Sequence, residues 1–482
     1  MARPRANRIA QRALIAGLAA MVTAPVLADD LREALVMAYN GNPTLQAARA
    51  QQRATDEGVP IARSSSLPSL SGSTSYSEFV EGSSGNPLAP DRNFDAQLNA
   101  SMPLYAGGGI RNSIRAAETR VGAGRADLRA SESGVFVQVV SAYMDVILAQ
   151  AVVKLNRANV QRLEVNLQAT QDRFEIGDLT RTDVAQSQSR LALARGQTRS
   201  AEASLIAARE RYIQVVGKEP VDLQPPPPLP GLPAQVEDAV AVALDANPDL
   251  LAARQRSKAA GYDTAAVGAN RLPKVSVFAS SGYDDYLGSN KIAGAVQSTT
   301  STTVGLRATV PLFQGGLPAA QRRQAQAREN ISLEQEIGVE RAVIANVRSA
   351  YAQWQAAENL IISSQAAVDA AELSLEGVRA ENTVGNRTIL DILNAENELL
   401  NAQVQLVTAK RNAYVAGFSL LSAMGKAEAR DLGLDGGALY DPETNYRRVH
   451  GNVWDWSSDP APTAKATRTV DTKPQDGSVT GQ

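Results

Sequence analysis

Few residues in this chain have types and spacing that could do covalent chemistry. Cysteine is absent, and His450 is the only histidine. A thiol nucleophile, a Cys-ligated metal and a disulfide framework are therefore excluded. A histidine metal cluster or a Ser-His-Asp relay lacks its parts. Gly107-Gly108-Gly109 is not a phosphate loop, because no lysine follows at the spacing such a loop needs. The reading is of a chain that is not an enzyme and needs no cofactor or metal. The polar residues that stand out instead sit at two matching breaks, Gly177-Asp178-Leu179-Thr180 and Gly385-Asn386-Arg387-Thr388. Glycine and asparagine tolerate the left-handed conformation that ends a helix. Thr180 and Thr388 are placed to cap the helices that return. The chemistry on offer is hydrogen bonding and ion pairing at helix ends.

Those breaks interrupt very long helices. No proline occurs between Leu104 and Glu219, or between Ala319 and Asp441. Proline breaks helices, so both gaps permit unbroken ones. Val135, Val139, Ala142, Val146, Ala149, Val153, Asn156, Val160, Leu163, Leu167, Thr170 and Phe174 alternate spacings of four and three, and all but two are apolar. Adding 208 to each gives a second series from Val343 to Asn382 with the same share of apolar residues. A sustained repeat of about 3.5 residues means coiled-coil packing. Trp354 falls in that seam and reads as core. A helix from Gly109 to Phe174 spans roughly 100 Å, a length that suits a tube or stalk.

The second series is one sign of a duplication. Asn42-Pro43 recurs as Asn247-Pro248 and Leu67-Pro68 as Leu272-Pro273, both at an offset of 205. Pro103-Leu104-Tyr105 recurs as Pro311-Leu312-Phe313, and Tyr143, Gly177, Asp183 and Gly217 recur as Tyr351, Gly385, Asp391 and Gly425, all at 208. The spacing predicts one repeat over 29–220, a proline-rich linker over 221–234 that is extended, stiff and solvated, a second repeat over 235–427, and a tail over 428–482. That tail is expected either to lie along the outside of the helices or to be disordered. Each repeat has the same order: an amphipathic helix (near 31–57 and 236–267), a strand pair, then the long helical pair.

The strands carry the membrane argument. Phe94, Ala96, Leu98, Ala100, Met102 and Leu104 alternate with Asp95, Gln97, Asn99 and Ser101, and the stretch 303–312 alternates likewise. Period two with one apolar face is a strand signal, and about ten residues is the length that crosses a bilayer in a barrel. Each has an earlier, serine-rich partner, near 70–80 and 274–283. A soluble sandwich is the other reading of these strands. In lipid, however, open edges are not tolerated. Four strands cannot close a barrel that needs about eight. Several chains must then share one barrel, and two, three or four copies would satisfy closure.

The N-terminus reads as a targeting segment. Arg3, Arg5, Arg8 and Arg12 precede an apolar stretch from Ala13 to Leu27, and Val26-Leu27-Ala28 offers small residues for cleavage after Ala28. Residues 1–28 are thus expected to be a signal peptide, with no cysteine following it to carry lipid and no other stretch that approaches a spanning helix. Basic and acidic residues nearly cancel, 48 against 50. That excludes a nucleic-acid footprint.

These landmarks resemble the TolC outer-membrane efflux and secretion proteins over nearly the whole mature length. The resemblance rests on Gly41-Asn42-Pro43, Leu67-Pro68, Pro103-Leu104-Tyr105, Pro311-Leu312-Phe313 and the turn Gly385 to Asp391, all duplicated in order. It implies a mostly α protein with a small β part: a homotrimer sharing a twelve-stranded transmembrane β-barrel over a coiled-coil α-helical barrel that extends from the outer membrane into the periplasm. It implies partners too, a periplasmic adaptor and an inner-membrane ABC or proton-driven transporter. It further implies a gate where the turns meet. Asp391 takes the first position of the family's carboxylate ring, while Asn394 stands at the second where an acid is usual. Arg387 matches an arginine tied to the first hairpin, with Thr182 and Asp183 as its counterparts, and Asn382 replaces a tyrosine of that lock. The function implied is the exit duct of a tripartite export system, with type I protein secretion the first reading and multidrug efflux the second. A soluble periplasmic coiled-coil scaffold is the reading from another class.

Overall fold

A computed structural model describes residues 30–80, 91–289, 294, 296–434 and 439–479. The signal segment lies outside the described residues. The first repeat begins with helices α1 (Leu31–Gly41), α2 (Pro43–Asp56) and α3 (Gly58–Ser64), followed by strands β1 (Ser69–Glu78) and β2 (Arg92–Ala106). The long helix α4 (Gly109–Glu175) and its return α5 (Arg181–Val216) complete it. The second repeat is α6 (Val236–Ala246), α7 (Pro248–Gly268), β3 (Lys274–Asp285), β4 (Ser298–Thr309), α8 (Leu317–Thr383) and α9 (Ile389–Ala423), with a short α10 (Pro442–Val449) in the tail. The two longest helices are each 67 residues, or roughly 100 Å.

Each expected single amphipathic helix is in fact two, broken at the Asn-Pro pair. Asn42 and Asn247 are extended, with ψ of 127° and 122°, because proline at the next position disfavours the α region before it. Asn42 Oδ1 then accepts from Thr44 N and Leu45 N, and its Nδ2 donates to Val215 O at 2.8 Å. Asn247 repeats both moves on Asp249 N, Leu250 N and Ala423 O. One residue type therefore caps the incoming helix and ties it to the end of the returning helix, once per repeat.

The heptad seams are where the sequence places them. Every one of the twelve positions from Val343 to Asn382 is buried or half-buried, and Phe174 alone of the first series is exposed. Tyr143, Phe136, Tyr212 and Phe418 fill the principal core, and smaller clusters around Leu375 and Leu163 continue it toward the hairpin tips. One stretch of α4 is apolar enough to cross a membrane, with a mean hydropathy of 1.7, and half of it is buried inside the protomer. The expectation that no later stretch approaches a spanning helix is corrected on that point: the seam needs enough valine and isoleucine to match a membrane helix in composition.

The linker is largely exposed, as expected, but it is also fastened to the fold. Leu223 is buried, and Leu229 and Leu232 pack against the core. They fall at multiples of three, one face of an extended helix with three residues per turn. Tyr143 donates to Gln224 O at 2.7 Å and Tyr351 to Ala234 O at 2.8 Å. The duplicated tyrosines thus pin both ends of the linker.

The four strands form one antiparallel sheet in the order β1-β2-β3-β4. The register puts Leu70, Tyr76, Phe94, Leu98, Met102, Val277, Ala279, Val304 and Leu306 on one face. The opposite face carries Ser69, Ser71, Ser73, Asn99, Gln97, Ser280, Thr303 and Ser301. Both outer strands, β1 and β4, are exposed along nearly their whole length, with one hydrogen-bonding edge unpaired among the described residues. Strand β4 starts and stops earlier than expected, so Val310 and Leu312 lie past its end. Glycine pairs convert strand to helix: Gly107 and Gly108 have φ of 63° and 82°, and Gly315 and Gly316 have 58° and 83°, conformations that favour glycine.

Candidate functional site at the hairpin tips

The α4–α5 and α8–α9 hairpins turn in the same way. Gly177 and Gly385 are left-handed, at φ 82° and 85°. Asp178 N donates to Arg173 O and Asn386 N to Glu381 O, at 2.9 and 3.0 Å, the six-to-one bond of a helix C-cap. Each returning helix starts with a reciprocal cap. Thr180 Oγ1 accepts from Asp183 N, while Asp183 Oδ2 accepts from Thr180 N at 2.8 Å and from its hydroxyl at 2.7 Å. Thr388 and Asp391 do the same, at 2.9 and 2.8 Å. These bonds from threonine hold the Asp183 and Asp391 carboxyls below the usual carboxylate range. Both acids remain charged and solvent-facing.

The residues expected to tie Arg387 to the first hairpin take other partners. In a single protomer Arg387 pairs with Glu381 of its own hairpin, Nε to Oε2 at 2.7 Å. The bonds from Thr180 occupy Asp183, and Thr182 is exposed. Asn382 Nδ2 donates to Arg387 O at 2.7 Å, so the residue standing in place of tyrosine braces the turn from below. Tip 1 is equally self-contained, with Arg173 on Asp178 at 2.7 Å. The reason is local: in each turn a charged side chain one or two residues past the glycine swings back over the last helical turn, where an opposite charge waits.

The contacts between hairpins lie one to two turns higher. Arg190 Nη2 donates to Asn394 Oδ1 at 2.8 Å, joining α5 to α9. Glu396 is 1% exposed and accepts from Arg379 Nη2 at 2.7 Å and Asn166 Nδ2 at 2.9 Å, joining α4, α8 and α9. Sequence reasoning missed Glu396, Arg379, Asn166 and Arg190. A signal was there: Glu396 occupies the core position between Ile392 and Leu399, all three buried, and a lone acid in an apolar seam requires a partner.

A sheet apolar on one face and serine-lined on the other, standing on helices about 100 Å long, defines a class: a membrane channel built on a shaft. The chain belongs to the outer membrane efflux protein family, which it matches over residues 34–218 and 239–426, one match per repeat. It is 35% identical over 431 residues to the outer membrane efflux protein BepC of Brucella suis, covering 88% of this chain and 91% of that one. It is 28% identical over 434 residues to the alkaline protease secretion protein AprF of Pseudomonas aeruginosa (86% and 88% covered) and 26% identical over 441 residues to the outer membrane protein TolC of Escherichia coli (88% and 87% covered). Among solved structures, the Campylobacter jejuni outer-membrane channel CmeC superposes with a TM-score of 0.73 at 17% identity, covering 88% of this chain and 90% of that one. The channel OprN gives 0.70 at 22%, covering 82% and 89%. The protein is an outer-membrane efflux channel of the TolC type that extends into the periplasm, and a soluble scaffold is set aside.

Proposed function

We propose that three copies form the exit duct of a tripartite export system and that its cargo is protein, as in type I secretion. The observation that carries the duct is the pair of unpaired strand edges, β1 and β4, on a sheet whose one apolar face must meet lipid. Three sheets of four give twelve strands, which closes. A serine- and asparagine-lined inner face suits polar, unfolded cargo. The likeness to AprF, a protease secretion protein, and to the proteases secretion protein PrtF of Dickeya chrysanthemi, 25% identical over 441 residues, supports the protein reading. BepC, named an efflux protein, favours drugs as the second reading. Energy is supplied from outside the duct, by an inner-membrane ABC or proton-driven transporter through a periplasmic adaptor. At the tip, Asp391 and Asn394 line the constriction, and Arg387 leaves Glu381 to engage Thr182 or Asp183 of an adjoining hairpin, with Asn382 steadying its turn.

Deleting the gene and assaying both cargo classes tests this reading. The expected outcome is loss of a secreted glycine- and aspartate-rich repeat protein from the medium, with drug susceptibility unchanged. Wild-type secretion with sharply raised susceptibility would replace the first reading with the second.

A further inference from the structure

The tail makes an excursion that channel closure does not explain. It climbs α2 and α3 toward the sheet. Tyr440 N donates to the Tyr39 hydroxyl at 2.8 Å, then Asn445 Nδ2 to the buried Asp56 carboxylate at 2.8 Å. Next, Tyr446 packs with Val59, Ala62, Ala117 and Val121. Finally Arg63 Nη1 donates to His450 O at 3.3 Å. Arg63 lies in the last turn of α3, and β1 begins five residues after that helix ends. Ala117 and Val121 lie eight and twelve residues into α4, or roughly 12–18 Å below its start at the sheet. By His450 the tail has reached Arg63, six residues before β1 begins. The chain then turns and descends to Gly41, whose carbonyl accepts from Thr467 N at 3.2 Å, and on to Arg209, which binds Asp476 O at 2.7 Å.

The turn itself is built. Arg448 grips Asp459 with two bonds, of 2.6 and 3.0 Å, closing the loop at its neck. Inside it, Asn452 Nδ2 donates to Ser457 Oγ at 2.9 Å, Trp454 N to Asn452 Oδ1 at 3.1 Å, and Ser457 N to Trp454 O at 3.1 Å. What this frame presents is Val453, Trp454 and Trp456, which are 64%, 69% and 85% exposed. Two of the chain's three tryptophans are thus held in water, four and six residues past the point where the tail meets the last turn of α3. Exposed apolar patches of this kind mark an interaction surface.

We propose that the 449–459 loop is a membrane-surface anchor whose tryptophans enter the headgroup layer of the outer membrane's periplasmic leaflet. The level of the loop fits. The tail meets α3 at Arg63, a few residues before β1, and at the foot of the sheet Leu104, Tyr105, Leu312 and Phe313 are also exposed. The residue type fits as well, because tryptophan favours the bilayer interface over either water or hydrocarbon. Asp455, between the two rings, limits the depth, since a carboxylate does not enter hydrocarbon readily. The loop would act as an outrigger that fixes the height and tilt of the shaft beneath the membrane. This inference rests on the outer-membrane location and not on the choice of cargo.

The experiment uses the full chain reconstituted in phosphatidylethanolamine–phosphatidylglycerol nanodiscs. Trp354→Phe leaves Trp454 and Trp456 as the only tryptophans. Their emission is expected to be blue-shifted, and to be largely lost when the lipid acyl chains are brominated near the headgroup. As a control on folding, the otherwise native chain with Trp454→Ser and Trp456→Ser should lose that quenching and keep its oligomeric state. Water-like emission that iodide quenches and bromolipid does not would overturn the anchor. Emission shielded from both quenchers would overturn it too, since another protein surface would then cover the loop.

Discussion

The carboxylate of Asp391 is held below the usual range by bonds from the Thr388 backbone and hydroxyl. A depressed acid contributes stability above its unfolded pKa, about 3.9, and loses it only as pH falls through the lower folded value. The negative charge at the tip therefore persists at every pH above about 4. In planar bilayers, cation block of the channel should hold from neutral pH down to that range. Asp391→Asn should weaken it throughout; block that is unchanged in the variant removes Asp391 from the pore. In the same bilayers, Arg387→Ala combined with Asp183→Ala should raise single-channel conductance. Unchanged conductance would confine Arg387 to its bond with Glu381 and leave closure to Glu396, Arg379 and Asn166. At this scale the sequence was only partly legible. The glycines, threonines and acids of the tips could be read because caps are local. Glu396 could not be paired, because its partners come from two other helices, 17 and 230 residues away.

Among the elements, the duplicated Asn-Pro joint has the sharpest consequence. Asn42 and Asn247 each satisfy two helix N–H groups and a distant carbonyl, so replacing either removes a cap and orphans a buried acceptor. We expect Asn42→Ala and Asn247→Ala each to cost about 1–2 kcal/mol, seen as lowered thermal stability of the helical signal. A markedly smaller loss at one site would mean that the two repeats are not fastened alike. Helix lengths and seams were legible because the proline gaps and the 3.5-residue repeat leave little choice. The joints were misread as continuous helix, and the anchoring of the linker was missed, for a shared reason. Composition reports proline, whereas the outcome depends on what leucine, asparagine and tyrosine reach across the fold. The tail takes the first of its two expected courses. Its polar, proline-containing stretch packs along the protomer because Arg157 and Arg209 donate to the carbonyls of Gly477, Asp476 and Ser478.

For the whole molecule, the open edges of the sheet set the assembly. The chain contains no cysteine, so one cysteine in β1 and one in β4 can be introduced without background. Oxidation of outer-membrane fractions should give covalent trimers, with a best match at one register. A ladder ending at dimers, or no cross-link at any register, would contradict a shared twelve-stranded barrel. The same molecule must first be made inside the cell, and its apolar seam bears on that journey. The stretch from Val135 to Val152 carries a single charge, Asp145, which in the finished protein meets Arg411 at 2.8 Å. An acid at the centre of such a run disfavours lateral release into lipid by roughly 2.5–3.5 kcal/mol. During synthesis Asp145 thus helps keep a future coiled-coil helix from being stranded in the wrong membrane, so the seam's hydrophobicity is capped by export as much as it is demanded by packing.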